Sequence, residues 1–169
     1  DPPAVRTRAE APEVWIAQLN EYLTQMSLAI FAFDGYLDKF MGDGIMAVWN
    51  AFGTQDEDHA QLAVQAGRQM LARLELLNKK WANTPDRTPF RIGIGIHTGA
   101  AVMGNVGSEE RTQFTAIGDT VNTASRIEGL CKQYKSEFII SETTAARLDG
   151  SVKLRELGDA EIRGRAGTI

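Results

Sequence analysis

The spacing of apolar side chains changes several times along the chain, and each change predicts an element. Val14, Leu19, Tyr22, Leu23, Met26 and Ile30 recur at helical spacing, which puts them on one face of an amphipathic helix over residues 12–33. Two short apolar and aromatic runs follow, 36–40 and 45–49, on either side of Met41-Gly42-Asp43-Gly44. Glycines flanking an aspartate suit a tight hairpin turn with Asp43 at its tip. Helical spacing returns with Leu62, Ala66, Met70, Leu74 and Leu77 and stops at the polar stretch Asn83-Thr84-Pro85-Asp86-Arg87. That predicts a second helix, packed on a sheet.

From 90 to 96 apolar residues alternate with glycine, a strand whose glycines point to close backbone approach. His97-Thr98-Gly99 is expected to turn it toward a partner strand at about 100–106. A third helix is predicted over 119–133, opening near Gly118, then a strand at 138–140 and a short helix with Ser141 as its N-cap. Two weak strands, 151–157 and 160–164, finish the prediction. Helices and strands alternate without internal repeats, so the expected class is α/β in the α+β sense: a mixed, largely antiparallel sheet with helices packed on it.

Composition narrows this picture. With 169 residues, 43% apolar and 24% charged, the chain has the size and balance of a single globular domain, 1–169. A net charge of −4 argues against a general nucleic-acid or anionic-membrane binder, so any phosphate site must be local. The single Cys131 excludes an internal disulfide, and two histidines with one cysteine are too few for a structural zinc site. A reducing, cytoplasmic setting is expected. No apolar run reaches the roughly 20 residues that span a bilayer, so the domain itself is expected to make no membrane contact. The chain opens at Asp1-Pro2-Pro3 without Met, and the expectation is a domain from a longer protein that carries sensor or membrane modules elsewhere.

Three clusters carry candidate chemistry. Leu37-Asp38-Lys39-Phe40-Met41-Gly42-Asp43-Gly44 sets a lysine and a carboxylate beside a glycine turn. A hard carboxylate there suits Mg²⁺, although by itself the pattern more often makes only a solvated turn. In Phe114-Thr115-Ala116-Ile117-Gly118-Asp119-Thr120-Val121-Asn122-Thr123-Ala124-Ser125-Arg126, Asn122 and Arg126 lie four apart on one helix face. They could bracket a phosphate, or form an exposed polar stripe. Ile162-Arg163-Gly164-Arg165 is a basic pair that could hold a polyphosphate or face solvent. His59 and His97 are too distant from each other and from any acid for acid–base work, and His97 reads as a satisfied turn residue.

Taken in order, these segments resemble the signature stretches of class III adenylyl and guanylyl cyclases. The blocks are Leu19-Asn20-Glu21-Tyr22-Leu23, Asp38 to Asp43, Gly95-Ile96-His97-Thr98-Gly99, Ala116 to Arg126 and Arg163-Gly164-Arg165. The resemblance implies the ferredoxin-like, palm-type cyclase fold and the conversion of ATP to 3′,5′-cyclic AMP and pyrophosphate. It also implies two divalent metal ions, Mg²⁺ or Mn²⁺, a homodimer with sites between protomers, and a regulatory domain in the same full-length chain. By the same likeness Asp43 binds metal, Lys39 and Thr115 read the purine, Asn122 orients the ribose, Arg126 meets the α-phosphate and Arg163 holds the terminal phosphates. A lysine donor matches adenine N1, whereas related guanylyl cyclases usually carry glutamate at the position of Lys39.

Two departures from the family pattern stand out. The strand that carries the first metal-binding aspartate is not found before Thr7, and many relatives have a triphosphate-binding arginine at the position of Gly93, where the nearest here is Arg91. An inactive cyclase-like domain that binds nucleotide or only dimerises, and a guanylyl cyclase, therefore stand as alternatives.

Overall fold

The computed structural model of the chain describes residues 12–54 and 56–160. Helix α1, Pro12–Ala32, starts on a proline whose missing N–H costs nothing in a first turn. It buries Gln18, Tyr22, Met26, Ala29 and Ile30 along one stripe. The chain leaves it through Phe33-Asp34-Gly35 into the antiparallel hairpin of β1, Tyr36–Met41, and β2, Gly44–Val48. Just beyond β2, the indole N–H of Trp49 donates to the Phe33 carbonyl at 2.8 Å, fastening the base of the hairpin to the end of α1.

Helix α2, His59–Ala82, has two kinds of buried face. Its first half buries the small residues Ala60, Ala63, Ala66 and Gly67, and Gly67 lies so close to the Phe138 ring that a Cβ would meet it at 2.5 Å. Its second half buries Leu74, Leu77 and Trp81 against Tyr22 and Met26 of α1, with Phe90 completing the cluster. Phe90 sits edge-on to Tyr22 and tilted against Trp81, with centroids 5.6 and 5.0 Å away. Asn78 accepts from the Phe90 N–H and donates to its carbonyl, so an amide side chain replaces the missing neighbouring strand.

Strand β3 is shorter than the alternation predicts: only Ile94–Ile96 is paired. The expectation that it turns onto a strand at 100–106 is not met. It runs parallel to β6, Phe138–Ile140, while β4, Val102–Ser108, pairs antiparallel with β5, Arg111–Ile117. The physical reason is a two-residue turn at Glu109-Glu110, which lets β4 find its partner locally and leaves β3 for a crossover partner. Helix α3, Asp119–Tyr134, supplies much of that crossover and packs on β3 and β6 through Ile127, Cys131 and Ile139. A four-residue helix, α4 at Glu142–Ala145, follows Ser141. Residues 151–157, expected as a strand, form none; Leu157 instead folds onto the α3–β6 cluster. The expected strand at 160–164 lies, apart from Ala160, outside the described residues.

Among the described residues, two antiparallel ladders and one parallel ladder with helices on them match the expected mixed, largely antiparallel α+β class. No helix among the described residues is long and apolar enough to cross a membrane.

Candidate active site

The β1–β2 hairpin sets the first half of the site. Its register runs Leu37 to Ala47 and then Lys39 to Met46, so Asp38 is an extra, bulged residue. A bulge turns a side chain off the alternating pattern, and here it sends the Asp38 carboxylate inward, where its side chain is 0% exposed. Thr115 of β5 donates its hydroxyl to that carboxylate, with both oxygens 2.8 Å away. The Ala116 N–H donates to Oδ2 at 3.0 Å, and the Lys39 ammonium lies 3.6 Å from Oδ1. Gln113 donates to the Asp38 carbonyl at 3.1 Å, so the same residue also holds β1 against β5. Lys39 and Thr115, 76 positions apart in the chain, are thus brought to one place by a residue that the motif contains but to which sequence reasoning gave no role. Its only sequence signal was an acid inside an apolar run.

Asp43 sits exposed at the hairpin tip, next to Gly42 in the left-handed region at φ 64°. It faces a long open groove whose walls also carry Arg91, His97, Thr120 and Asn122. Tyr22 lies beneath, and burial followed by the charge of Asp43 pushes its phenol up to about 12.

Helix α3 carries the second half. Its first turn is fixed by Thr120, whose hydroxyl donates to the Ala100 carbonyl at 2.6 Å. Asn122 is exposed and Arg126 half-buried. Arg126 Nη1 is buried and finds no hydrogen-bond partner among the described residues. Beneath the helix lies Gly95, where a Cβ would meet the Glu128 nitrogen at 2.2 Å and the Ala124 carbonyl oxygen at 2.8 Å. Close backbone approach is thus the reason for glycine at 95. At Gly93 a Cβ would meet Cys131 at 2.9 Å, which leaves little room for an arginine side chain. Arg91, not in a paired strand, is exposed on the groove.

His97 is satisfied as expected: Nδ1 shares a hydrogen bond with Ser141 Oγ at 2.9 Å. Burial pushes the Cys131 thiol above its ordinary range. Arg163 lies outside the described residues, as does the region before Thr7. Among the described residues no three His, Cys, Asp or Glu side chains converge as metal ligands. With Asp38 committed to Thr115, Ala116 and Lys39, the described residues offer Asp43 as one carboxylate toward a cation and do not by themselves complete a two-ion centre.

Comparison with known proteins bears on the domain as a whole. The family model for the adenylate and guanylate cyclase catalytic domain matches residues 5–169. Adenylate cyclase 1 of Rhizobium meliloti is 40% identical over 165 residues, covering 96% of this chain and 24% of that protein. An adenylate cyclase of Anabaena cylindrica is 40% identical over 133 residues, covering 77% and 25%. The chain therefore spans about a quarter of the length of either relative. Among solved structures, adenylyl cyclase CyaB from P. aeruginosa superposes with a TM-score of 0.86 at 30% identity, over 95% of this chain and 81% of that one. Guanylyl cyclase Cya2 superposes at 0.85 with 33% identity, over 95% and 79%. Overall likeness thus does not choose between the two purines. The shared architecture and the near full-length family match lead to one conclusion: the chain belongs to the adenylate and guanylate cyclase catalytic domain family.

Proposed function

We propose that this domain is an adenylyl cyclase that converts ATP to 3′,5′-cyclic AMP and pyrophosphate at the interface of a homodimer. The observation that carries this reading is the meeting of Lys39 and Thr115 at Asp38. An ammonium donates to adenine N1 and a hydroxyl oxygen accepts from the 6-amine, whereas guanine presents a donor at N1 and an acceptor at C6. Asn122 holds the ribose, and the unpartnered Nη1 of Arg126 meets charge on the α-phosphate as the 3′-oxygen attacks. The new bond joins the 3′-oxygen to the α-phosphorus, the bond from that phosphorus to the bridging oxygen breaks, and pyrophosphate leaves while the 3′-hydroxyl proton passes to solvent. Arg91 from the groove wall, together with Arg163, neutralises the terminal phosphates.

Asp43 is the described contribution to a site for divalent ions, Mg²⁺ or Mn²⁺, which when bound would acidify the 3′-hydroxyl and offset triphosphate charge. Exposed apolar residues flank both halves of the site: Phe40 and Met41 beside Lys39 and Asp43, and the cross-strand pair Val102 and Ile117 before α3. Their burial against a second copy supports a two-fold dimer in which Lys39 and Asp43 of one hairpin serve different sites. The relatives' greater length supports a regulatory module in the same full-length chain, with the domain working in the cytoplasm.

The test is an assay with Mn²⁺ and either ATP or GTP, alongside Asp43→Ala and Asn122→Ala. Cyclic AMP from the parent, lost in each variant and partly restored when the two inactive variants are mixed, is the expected result. Preferential formation of cyclic GMP from GTP would make it a guanylyl cyclase, and no cyclic product with either substrate would leave a nucleotide-binding or dimerisation domain.

A further inference from the structure

Resting on the adenylyl cyclase reading, we infer that Asp38 is the positioning residue that makes the Thr115 hydroxyl an acceptor only, and thereby turns an ambivalent group into a purine discriminator. A threonine hydroxyl has one proton and two lone pairs, so by itself it can bond either the 6-amine of adenine or the 6-oxygen of guanine. Here the proton is spoken for. Both carboxylate oxygens of Asp38 lie 2.8 Å from Thr115 Oγ1, in a place where Asp38 is 8% and Thr115 5% exposed, so no water competes for it effectively. The Ala116 N–H pins Oδ2 from the backbone at 3.0 Å, which stops the carboxylate from swinging away.

What Thr115 can offer a base is therefore its lone pairs. The same carboxylate has Lys39 Nζ 3.6 Å from Oδ1, so one acid orders both members of the pair: a donor toward position 1 and an acceptor toward position 6. Guanine would meet two mismatches at once, donor against donor and acceptor against acceptor, and discrimination comes as much from repulsion as from attraction.

Asp38→Asn tests this, because an amide can donate to Thr115 Oγ1 and release the hydroxyl proton toward the base. The kcat/KM ratio of ATP to GTP is expected to fall by roughly tenfold or more, the scale of one mispaired buried polar group. A purely structural role for Asp38 would depress both substrates together and leave the ratio unchanged, which would overturn the proposal.

A second measurement needs no substitution. The triphosphates of N6-methyladenosine and of 6-methoxypurine riboside have closely matched size and the same acceptor at N1, but carry a donor and an acceptor respectively at position 6. The unaltered enzyme should use the first at least about tenfold better; equal use would show that Thr115 donates freely, and the inference would fall even if Asp38→Asn does not fold. Failure of the underlying reading looks different: unaltered protein that makes no cyclic AMP, or prefers GTP, removes the adenylyl cyclase assignment itself.

Discussion

Glu21 on α1 gathers two donors from α2: the Lys80 ammonium contacts Oε1, and the Trp81 indole N–H donates to Oε2 at 3.1 Å. The Lys80 contact first, and the Trp81 bond after it, hold the carboxyl below its ordinary value of 4.5. A carboxyl held low in the folded state stabilises it fully above the unfolded pKa and loses that contribution as pH falls through the folded value. Glu21→Gln should therefore lower stability at pH 7 by about 1 kcal/mol, kept small because Lys80 is largely in solvent. Urea titrations of both proteins should show the gap closing once the pH drops below the native Glu21 pKa. At this scale the candidate site was legible in part. Lys39, Asp43, Thr115, Asn122 and Arg126 could be picked out because each is a polar type in an ordered motif. Asp38 could not be given a role, because its inward aim depends on a register shift between two strands, and a bulge leaves no mark in the alternation of a single one.

Among the elements, α3 and β3 are seated backbone on backbone at Gly95. Gly95→Ala would drive a methyl group into the Glu128 amide, where helix backbone rather than a pliable side chain must yield, at a cost of about 2–3 kcal/mol. Gly129 in the same helix is exposed, and a Cβ there would meet nothing within 4 Å. Gly129→Ala should instead raise stability by about 0.5–1 kcal/mol through lower chain entropy and better helix propensity. Opposite shifts in the denaturation midpoint would check both, and a neutral Gly95→Ala would mean that the helix is not seated as described.

The long helices were legible because their stripes repeat over many turns: 12–33 became Pro12–Ala32, and 119–133 became Asp119–Tyr134. The strands were less so. The turn between β4 and β5 is Glu109-Glu110, without the asparagine–glycine chemistry that announces a hairpin, so β5 was visible only as a motif. The parallel partner of β3 lies more than forty residues away, beyond anything local spacing encodes. A strand was expected at 151–157, but Leu157 there covers the α3 cluster.

For the molecule as a whole, the exposed Phe40, Met41, Val102 and Ile117 lie beside the candidate catalytic side chains. In the proposed dimer, Ile117→Glu would place a charge in an apolar contact. Sedimentation should find that variant monomeric at concentrations where the parent protein is dimeric, with cyclic AMP formation lost while the circular dichroism spectrum is retained. A variant that is monomeric yet fully active would overturn the shared-site arrangement. The short hairpin then acquires a mechanical meaning. Lys39 and Asp43 are four residues apart on one ribbon, fastened at its base by Trp49. In the proposed two-fold dimer that ribbon would reach into both clefts, so a tilt that tightened the base seat in one would shift the cation seat in the other. The two clefts would then be yoked like the pans of a balance.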